Sequence, residues 1–407
     1  MLRAPTDPMT TALEGLVALD LATFVAAPFC CTLLGEFGAE VIKVEQPGRG
    51  DDLRRLGTPV REGLSYWWLV ESRNKKSITC NLRDPDGQAL IKRLAARADV
   101  LAENFRPGTM ERWDLAWDDL RAVNAGLVMV RISAFGQTGP YRERPGFGRI
   151  AAAMGGISYL SGYPDRPPVT PGTPTIPDYL AGALAAFGTL AALEARRRTG
   201  EGQVVDVGLY EPVLRILDDA IAVHGGTGLV RERIGSGTES AVPHNHYRAV
   251  DGRYIAIACT NDRMFTRLLE ALGRQELATD PRMATARARL AHRDEVDSLV
   301  ADWVGARDAE SALAALAAEE VPSALVKSVR DLFDDAQVRA RENIVSIAAP
   351  LLGALAMPGV VPRLTLTPGT VRHPGPTTPG EDNEEIYGSR LGLSTAEIAR
   401  LRERKVI

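Results

Sequence analysis

The chain of 407 residues is 45% hydrophobic and 25% charged, with a formal net charge of −4 at pH 7. This composition is typical of a globular protein, and the length favours two domains. Because no large basic cluster is present, we expect no nucleic-acid partner. The apolar run at 21–35 is short for a membrane span, and the four cysteines form no Cys-x-x-Cys motif. We therefore expect a cytoplasmic enzyme with no membrane partner, no metal site and no disulfide framework.

Short apolar strands alternate with helices in the first half of the chain. Strands are predicted at 16–21, 41–45, 77–82, 100–103, 127–133 and 203–207, and helices at 28–37, 88–97 and 179–194. Strands that are apolar on both faces are typical of a parallel sheet covered by helices on either side. The alternation predicts an α/β fold with a doubly wound, Rossmann-like sheet.

The composition changes after a helix predicted at 209–222. The segment 223–241 contains five glycines and indicates a linker. An antiparallel hairpin at 247–258, turning at Asp251-Gly252, and helices over 262–319 then predict a smaller α+β domain at 242–329. The large domain is expected at 1–222, and 330–407 is expected to connect back to it, ending in a helix near 395–403.

Residues 171–178 lead into a long helix of small residues. Three prolines and one glycine hold this approach extended. Asp178 follows them, and we predict it at the N-cap of the helix, a position that Asp favours. The local pattern alone assigns Asp178 no role beyond capping.

Common motifs for nucleotide binding, for a serine nucleophile and for metal binding are missing. There is no Gly-x-x-x-x-Gly-Lys-Ser/Thr loop and no Gly-x-Ser-x-Gly elbow. Residues 146–151 fit Gly-x-Gly-x-x-Ala, but they do not directly follow a strand, so no dinucleotide site is predicted. His244 and His246 would share one strand face without a third ligand in view, so they predict no metal site.

Six segments, in order, resemble the class III CoA-transferases, a family that includes formyl-CoA and carnitine CoA-transferases and α-methylacyl-CoA racemase. The matching segments are 13–16 with 35–45, 74–78, 103–108 with Arg112, 135–140, 178–182 and 200–206. Each segment is weak alone, but the ordered set covers nearly the whole chain. The resemblance implies an interlocked homodimer of two ring-like chains, in which the N-terminal and C-terminal segments of each chain combine into the large domain.

The resemblance also implies roles for individual residues. It implies that Asp178 is the nucleophile and that coenzyme A (CoA) is bound as a substrate, with no tightly bound cofactor. The implied CoA contacts are Val25, Ala26, Leu82, Asn104, Phe105, Arg106, Arg112, Phe147 and Gly148. Arginine forks suit the phosphoryl groups of CoA, although the local pattern around Arg106 and Arg112 indicates only a solvated helix face. Two positions depart from the family: Gln46 replaces an arginine of some members, and residues 259–261 (Cys-Thr-Asn) replace a glycine loop over the site.

The reaction implied is transfer of CoA from an acyl-CoA to a carboxylic acid, through mixed anhydrides and an aspartyl-CoA thioester. Arg142, Arg144 and Arg149 would suit a dicarboxylate, for example succinyl-CoA as donor. Two alternatives stay open: racemisation of an α-methylacyl-CoA, and a non-catalytic CoA-binding protein that kept the fold. A racemase needs two acid–base groups, yet Phe147-Gly148 stands where that branch has a His-Asp pair.

Overall fold

The computed structural model describes residues 11–172 and 174–407. The chain divides into two compact units. The first comprises the described residues up to Ile157, with Thr170–Ile221 and Ala340–Ile407, and the second comprises Ser158–Val169 and Ala222–Arg339.

The second unit extends beyond the segment 242–329 expected for the small domain. The segment 223–241, predicted as a linker, belongs to it because hydrogen bonds join this segment to Ser158–Val169. The Gly235 N–H donates to the Gly162 carbonyl at 2.9 Å, and the Tyr159 hydroxyl donates to Glu232 at 2.7 Å. Residues 330–339, expected to be part of a connecting stretch, also belong to the second unit and form helices.

Among the described residues, six parallel strands form the central sheet of the first unit. They are Val17–Asp20, Glu40–Glu45, Lys75–Thr79, Val100–Glu103, Val128–Ser133 and Val204–Gly208. Numbered along the chain, their spatial order is 3-2-1-4-5-6, and every neighbouring pair is parallel. This is the Rossmann order, and it confirms the predicted α/β fold with a parallel sheet.

Helices cover both faces of this sheet. On one face, Ala26–Glu36 and Ile176–Thr199 pack against the small strand residues Ala18 and Ala102. The two helices approach closely at Gly182, where an added Cβ would lie 2.5 Å from the carbonyl oxygen of Ala26. The other face is covered by Pro85–Ala95, Trp117–Val123 and the C-terminal helix Thr395–Glu403. The first five strands are therefore largely buried on both sides, whereas the edge strand Val204–Gly208 is mostly half-buried.

The helix Ile176–Thr199 starts earlier than predicted. Thr175 is its N-cap residue, so the prediction of Asp178 at the N-cap is wrong, and Asp178 lies in the first turn. The helix can begin before Pro177, because the N–H groups of the first helical positions have no intrahelical acceptor and proline is therefore tolerated there. By length and composition this helix could also cross a membrane, with a mean hydropathy of 1.4, but Ala181, Ala185 and Ala192 lie in the core beside the sheet.

The predicted helix at 209–222 is interrupted. It forms two helices, Tyr210–Arg215 and Ala220–Thr227, with Asp218 between them at a φ of 48°. A positive φ cannot continue a right-handed helix, so the chain turns there.

The remaining elements of the first unit are short. They are the strands Pro59–Arg61 and Leu64–Ser65, the helices Asp52–Arg55, Tyr66–Glu71, Thr109–Arg112 and Gly148–Met154, the hairpin Ile344–Ala349 with Gly353–Pro358, and the π-helix Glu384–Arg390. The hairpin lies within 330–407, the segment expected to connect back to the large domain.

The second unit is built on the predicted hairpin. Its strands are His244–Arg248, Tyr254–Ala258 and Ser323–Leu325, which pair antiparallel. Its helices are Asp262–Leu272, Gln275–Thr279, Ala286–Ala291, Arg293–Gly305, Ala309–Ala318, Val329–Asp334 and Ala336–Ala340. A further helix, Ile157–Leu160, begins at the boundary between the two units.

Candidate active site

Asp178 is held at the start of the long helix by its own turn. The Thr175 hydroxyl donates a hydrogen bond to Oδ2 of Asp178, and the Asp178 N–H donates to the Thr175 carbonyl at 3.1 Å. A carboxylate in the first turn also interacts favourably with the positive end of the helix dipole. Burial raises the pKa of Asp178, and the hydrogen bond from Thr175 opposes this rise. The carboxylate is therefore partly stripped of water.

Asp178 faces a cavity of about 300 Å³ in the first unit. Four of the residues that the sequence singled out for CoA or catalysis line it: Val25, Phe147, Gly148 and Asp178. Sequence reasoning missed further residues in its wall, among them Phe24, Leu56, Trp67 and Thr175. Only the Thr-x-x-Asp spacing of a capping box, at 175–178, could have found one of them.

Gly148 is buried directly against Asp178. A Cβ added to Gly148 would lie 3.2 Å from Cγ of Asp178 and closer still to Oδ2 and to the Thr175 hydroxyl. Such positions are closer than ordinary van der Waals contact, so a larger residue at 148 would displace the carboxylate. The absence of a side chain at Gly148 creates the space that Asp178 occupies.

The aromatic wall of the cavity depends on a strained residue. Phe24 follows the first strand at a φ of 63°, a conformation that bulky residues rarely adopt. Its N–H donates to Oδ1 of Asp51 at 3.2 Å, and its ring meets the Phe147 ring edge-on, with 5.9 Å between centroids. A backbone dihedral leaves no mark in the sequence, which is why Phe24 was missed.

Trp67 is oriented by the residue after Asp178. Its Nε1 donates to the Tyr179 hydroxyl at 3.1 Å, and that hydroxyl donates to Oε1 of Glu71 at 3.0 Å. Burial raises the pKa of Glu71. These consecutive hydrogen bonds link Trp67 in the cavity wall to Tyr179 in the first turn of the long helix.

A second cavity, of about 140 Å³, lies at the carboxyl ends of the first four strands. Leu82 and Phe105 line it, as does Gln46. Beside it, the Asn104 side chain accepts from the Thr23 N–H at 2.8 Å and donates to the Thr23 carbonyl at 2.6 Å. This amide therefore joins the loops that follow the first and fourth strands, where the strand order reverses. Ligands of doubly wound sheets bind at that point.

Four of the predicted CoA contacts lie outside the lining of both cavities: Asn104, described above, and Ala26, Arg106 and Arg112. Arg106 and Arg112 are exposed, and Nη2 of Arg112 donates to the Thr109 hydroxyl at 2.9 Å. Ala26 is buried, with its carbonyl against Gly182 of the long helix. Conversely, Arg83 and Trp113 line the second cavity without having been predicted.

The segment 259–261 belongs to the second unit. Asn261 caps the helix Asp262–Leu272, because its side-chain oxygen accepts from the Met264 N–H at 2.9 Å. Asn261 therefore has a defined capping role in the second unit.

A buried ion cluster supports the loop before Phe24. Nζ of Lys43 lies 3.5 Å from Asp20 and 2.9 Å from Asp51, and Nζ of Lys75 lies 2.9 Å from Asp20. Lys43 also donates to the Ala22 carbonyl. Burial works against the charge of Lys43, but the carboxylates of Asp20 and Asp51 outweigh it and raise its pKa. Lys43 therefore stays charged and ties the loop to the sheet.

The fold and the site together define an α/β protein with a half-buried carboxylate in a largely apolar cavity. The model of CoA-transferase family III matches residues 13–383. The chain is 48% identical to the succinyl-CoA–L-malate CoA-transferase beta subunit of Chloroflexus aurantiacus, over 98% of both chains. It is 46% identical to the succinyl-CoA–D-citramalate CoA-transferase of the same organism, over 97% of this chain and 98% of that one.

A solved CAIB/BAIF family protein from Brucella suis has a similar fold, with a TM-score of 0.82 at 33% identity. The match covers 93% of this chain and 99% of that protein. The chain belongs to CoA-transferase family III, and it is a CoA-transferase.

Proposed function

We propose that this protein transfers CoA from succinyl-CoA to a carboxylic acid, with Asp178 as the nucleophile. The observation that supports this most directly is the position of Asp178, whose carboxylate is half-buried and faces the cavity. It is the one carboxylate among the described residues of that lining. The relatives named as succinyl-CoA transferases support the choice of donor.

The reaction needs only exchanges of acyl groups. An Asp178 oxygen attacks the thioester carbonyl, the C–S bond breaks, and a mixed anhydride and the CoA thiolate result. The thiolate then attacks the Asp178 carbonyl carbon of the anhydride, which releases the donor acid and leaves an aspartyl-CoA thioester. The acceptor carboxylate attacks this thioester and forms a second anhydride and the thiolate. Attack of the thiolate on the acceptor carbonyl yields the new acyl-CoA and restores Asp178.

Water must be kept from both anhydrides during this sequence. The cavity wall contributes the apolar surfaces of Phe24, Leu56, Trp67 and Phe147 next to Asp178. An apolar wall lowers the local concentration of water and strengthens electrostatic interactions with the developing oxyanions. Backbone N–H groups at the start of the long helix are candidate donors to those oxyanions.

CoA itself would lie along the carboxyl edge of the sheet. In this proposal Leu82 and Phe105 contact CoA in the second cavity. Asn104 holds together the loops that follow the first and fourth strands beside that cavity. Arg106 and Arg112 pair with the phosphoryl groups of CoA. Val25, Ala26, Phe147 and Gly148 would line the path of the pantetheine arm toward Asp178. CoA is a substrate here, with no tightly bound cofactor.

We also propose that two copies form an interlocked homodimer in the cytoplasm. The long helix exposes Leu184, Phe187 and Leu190 on the face turned away from the sheet, and Phe187 is 70% exposed. A second chain would bury these side chains. All four cysteines are free and buried, which is compatible with a reducing compartment.

The proposal is tested by incubating the protein with succinyl-CoA and a panel of carboxylic acids and identifying new acyl-CoA products by mass spectrometry. Asp178→Ala should abolish transfer while the protein stays folded. Hydroxylamine added to the wild type with donor should modify Asp178 covalently. Full transfer by Asp178→Ala would disprove the mechanism.

Racemisation is distinguished by proton exchange. No histidine is among the described residues that line the Asp178 cavity, and Phe147 and Gly148 cannot exchange protons. We therefore expect no α-deuteration of a 2-methylacyl-CoA in deuterated water. Enzyme-dependent deuteration without an acceptor acid would favour the racemase.

A further inference from the structure

Two of the described side chains that line the Asp178 cavity are charged, and they have opposite signs. One is Asp178, and the other is Arg149. Arg149 follows Gly148 at the start of the helix Gly148–Met154, so it is adjacent in sequence to the residue that touches Asp178. The cavity therefore offers a cation as well as a nucleophile.

Arg149 has no carboxylate partner in the described part of the chain. Its one hydrogen bond to a described residue runs from Nη1 to the Thr170 hydroxyl and is long, at 3.4 Å. The nearby arginines differ: Nη2 of Arg142 lies 3.3 Å from Glu143, and the Arg144 guanidinium stacks on the Tyr141 ring at 3.7 Å. A guanidinium has five N–H donors in a fork that matches a carboxylate, so most of the donors of Arg149 are available to a ligand.

We infer that Arg149 binds the distal carboxylate of a dicarboxylic substrate while the other end of that substrate reacts at Asp178. This inference rests on the proposed function and adds the residue that selects the substrate. It applies to the succinyl group of the donor and to a dicarboxylic acceptor in turn, because both acids form an anhydride with the same Asp178. Arg149 would then act through binding, and Asp178 through covalent chemistry.

Selectivity follows from the chemistry of the cavity. A butyryl group has the same carbon chain as a succinyl group, but a methyl group replaces its distal carboxylate. It would place that methyl group beside Arg149 and form no charge-assisted hydrogen bond, which is the stronger kind. The protein should therefore prefer succinyl-CoA over butyryl-CoA, and the preference should depend on Arg149.

The test measures kcat/KM for succinyl-CoA and butyryl-CoA with one acceptor acid. In Arg149→Met the succinyl/butyryl ratio should fall about tenfold or more, since one pair of charged hydrogen bonds is lost. The succinyl/butyryl ratio of Arg149→Lys, which keeps the charge without the fork, should lie between the ratios of Arg149→Met and wild type. Arg144→Met is the matched control, because Arg144 stacks on Tyr141 outside the cavity lining, and its ratio should equal the wild-type ratio.

A direct measurement complements the kinetics: succinate binding should weaken in Arg149→Met by calorimetry, whereas circular dichroism should show an unchanged fold. An unchanged ratio in Arg149→Met, or an equal fall in Arg144→Met, would overturn the role of Arg149. Failure of the proposed function would give results different from a failure of the inference about Arg149. In that case the wild type would transfer CoA from neither donor, or Asp178→Ala would keep full activity, and the inference about Arg149 would fall with it.

Discussion

Gly148 and Asp178 occupy adjoining space so tightly that a methyl group on Gly148 would collide with the Asp178 carboxylate. The two residues are 30 positions apart in sequence and belong to the first turns of two different helices, Gly148–Met154 and Ile176–Thr199. The position of the candidate nucleophile is therefore set by a residue with no side chain.

The first prediction concerns this contact. With Asp178 as the proposed nucleophile, Gly148→Ala should lower kcat/KM about 100-fold, because a displacement of a reacting group by about 1 Å has that order of effect. The fold should persist, as judged by circular dichroism. Gly225→Ala is the control, since Gly225 is helical and has open space around it. Near wild-type activity in Gly148→Ala would mean that the carboxylate can relocate without loss.

The second prediction concerns stability and pH. Because the folded-state pKa of Asp178 is raised, the folded protein binds this proton more tightly than the unfolded chain does. Ionisation of Asp178 therefore lowers stability as the pH rises from the ordinary Asp value through the folded-state value. Asp178→Asn should unfold at a higher temperature than wild type at pH 7, and the difference should shrink in acid. A lower unfolding temperature at pH 7 would contradict this reasoning.

Thr175 provides the third prediction. Its hydroxyl donates to the Asp178 carboxylate and lowers the pKa that burial raises. Thr175→Val removes this donor at nearly constant shape, so the acid limb of the kcat/KM profile should move to higher pH. Thr175→Ser keeps the hydroxyl and should leave the limb in place. Identical pH profiles of kcat/KM for Thr175→Val and Thr175→Ser would show that the hydrogen bond does not influence the Asp178 carboxylate.

The fourth prediction concerns the buried ion cluster of Lys43 and Lys75 with Asp20 and Asp51. Lys43→Met leaves the buried Asp51 without its cation, so the free energy of unfolding in urea should fall by about 3–5 kcal/mol. Lys76→Met is the control, because Lys76 pairs with Glu40 and Glu385 at the surface, where a pair contributes ~0–1 kcal/mol. Equal losses in the two variants would disprove a special role for the buried pair.

The fifth prediction concerns assembly. If two chains interlock, dilution should not separate them, because separation would require partial unfolding. Sedimentation velocity over a hundredfold range of concentration should show one species with the mass of a dimer. A monomer that appears on dilution would rule out interlocking.

The regular elements were the most predictable part of the fold. The strand Val100–Glu103 and the helix Thr395–Glu403 lie at the predicted positions. The strand is marked by a run of apolar residues. The helix start is marked by a Ser cap with Glu at the third helical position. Both signals lie within a few residues of sequence. The break at Asp218 had no such signal, and the helix predicted there was too long.

The site was partly predictable. Val25, Phe147, Gly148 and Asp178 were singled out by resemblance and line one cavity. Phe24 and Trp67 were missed, because the orientation of Phe24 depends on a left-handed backbone and that of Trp67 on the Tyr179 hydroxyl. Neither feature can be read from neighbouring residues.

The amino-acid sequence alone specified the alternation of strands and helices, and with it the parallel sheet, since local sterics and apolar periodicity lead to both. It also contained the ordered segments that identify the family. It could not distinguish Arg142, Arg144 and Arg149, three similar arginines within eight residues. The tertiary structure decided that Arg142 pairs with Glu143, that Arg144 stacks on Tyr141, and that Arg149 faces the cavity with Asp178. The direction of a side chain from a loop or a helix start depends on packing between distant segments, and only the folded chain brings those segments together.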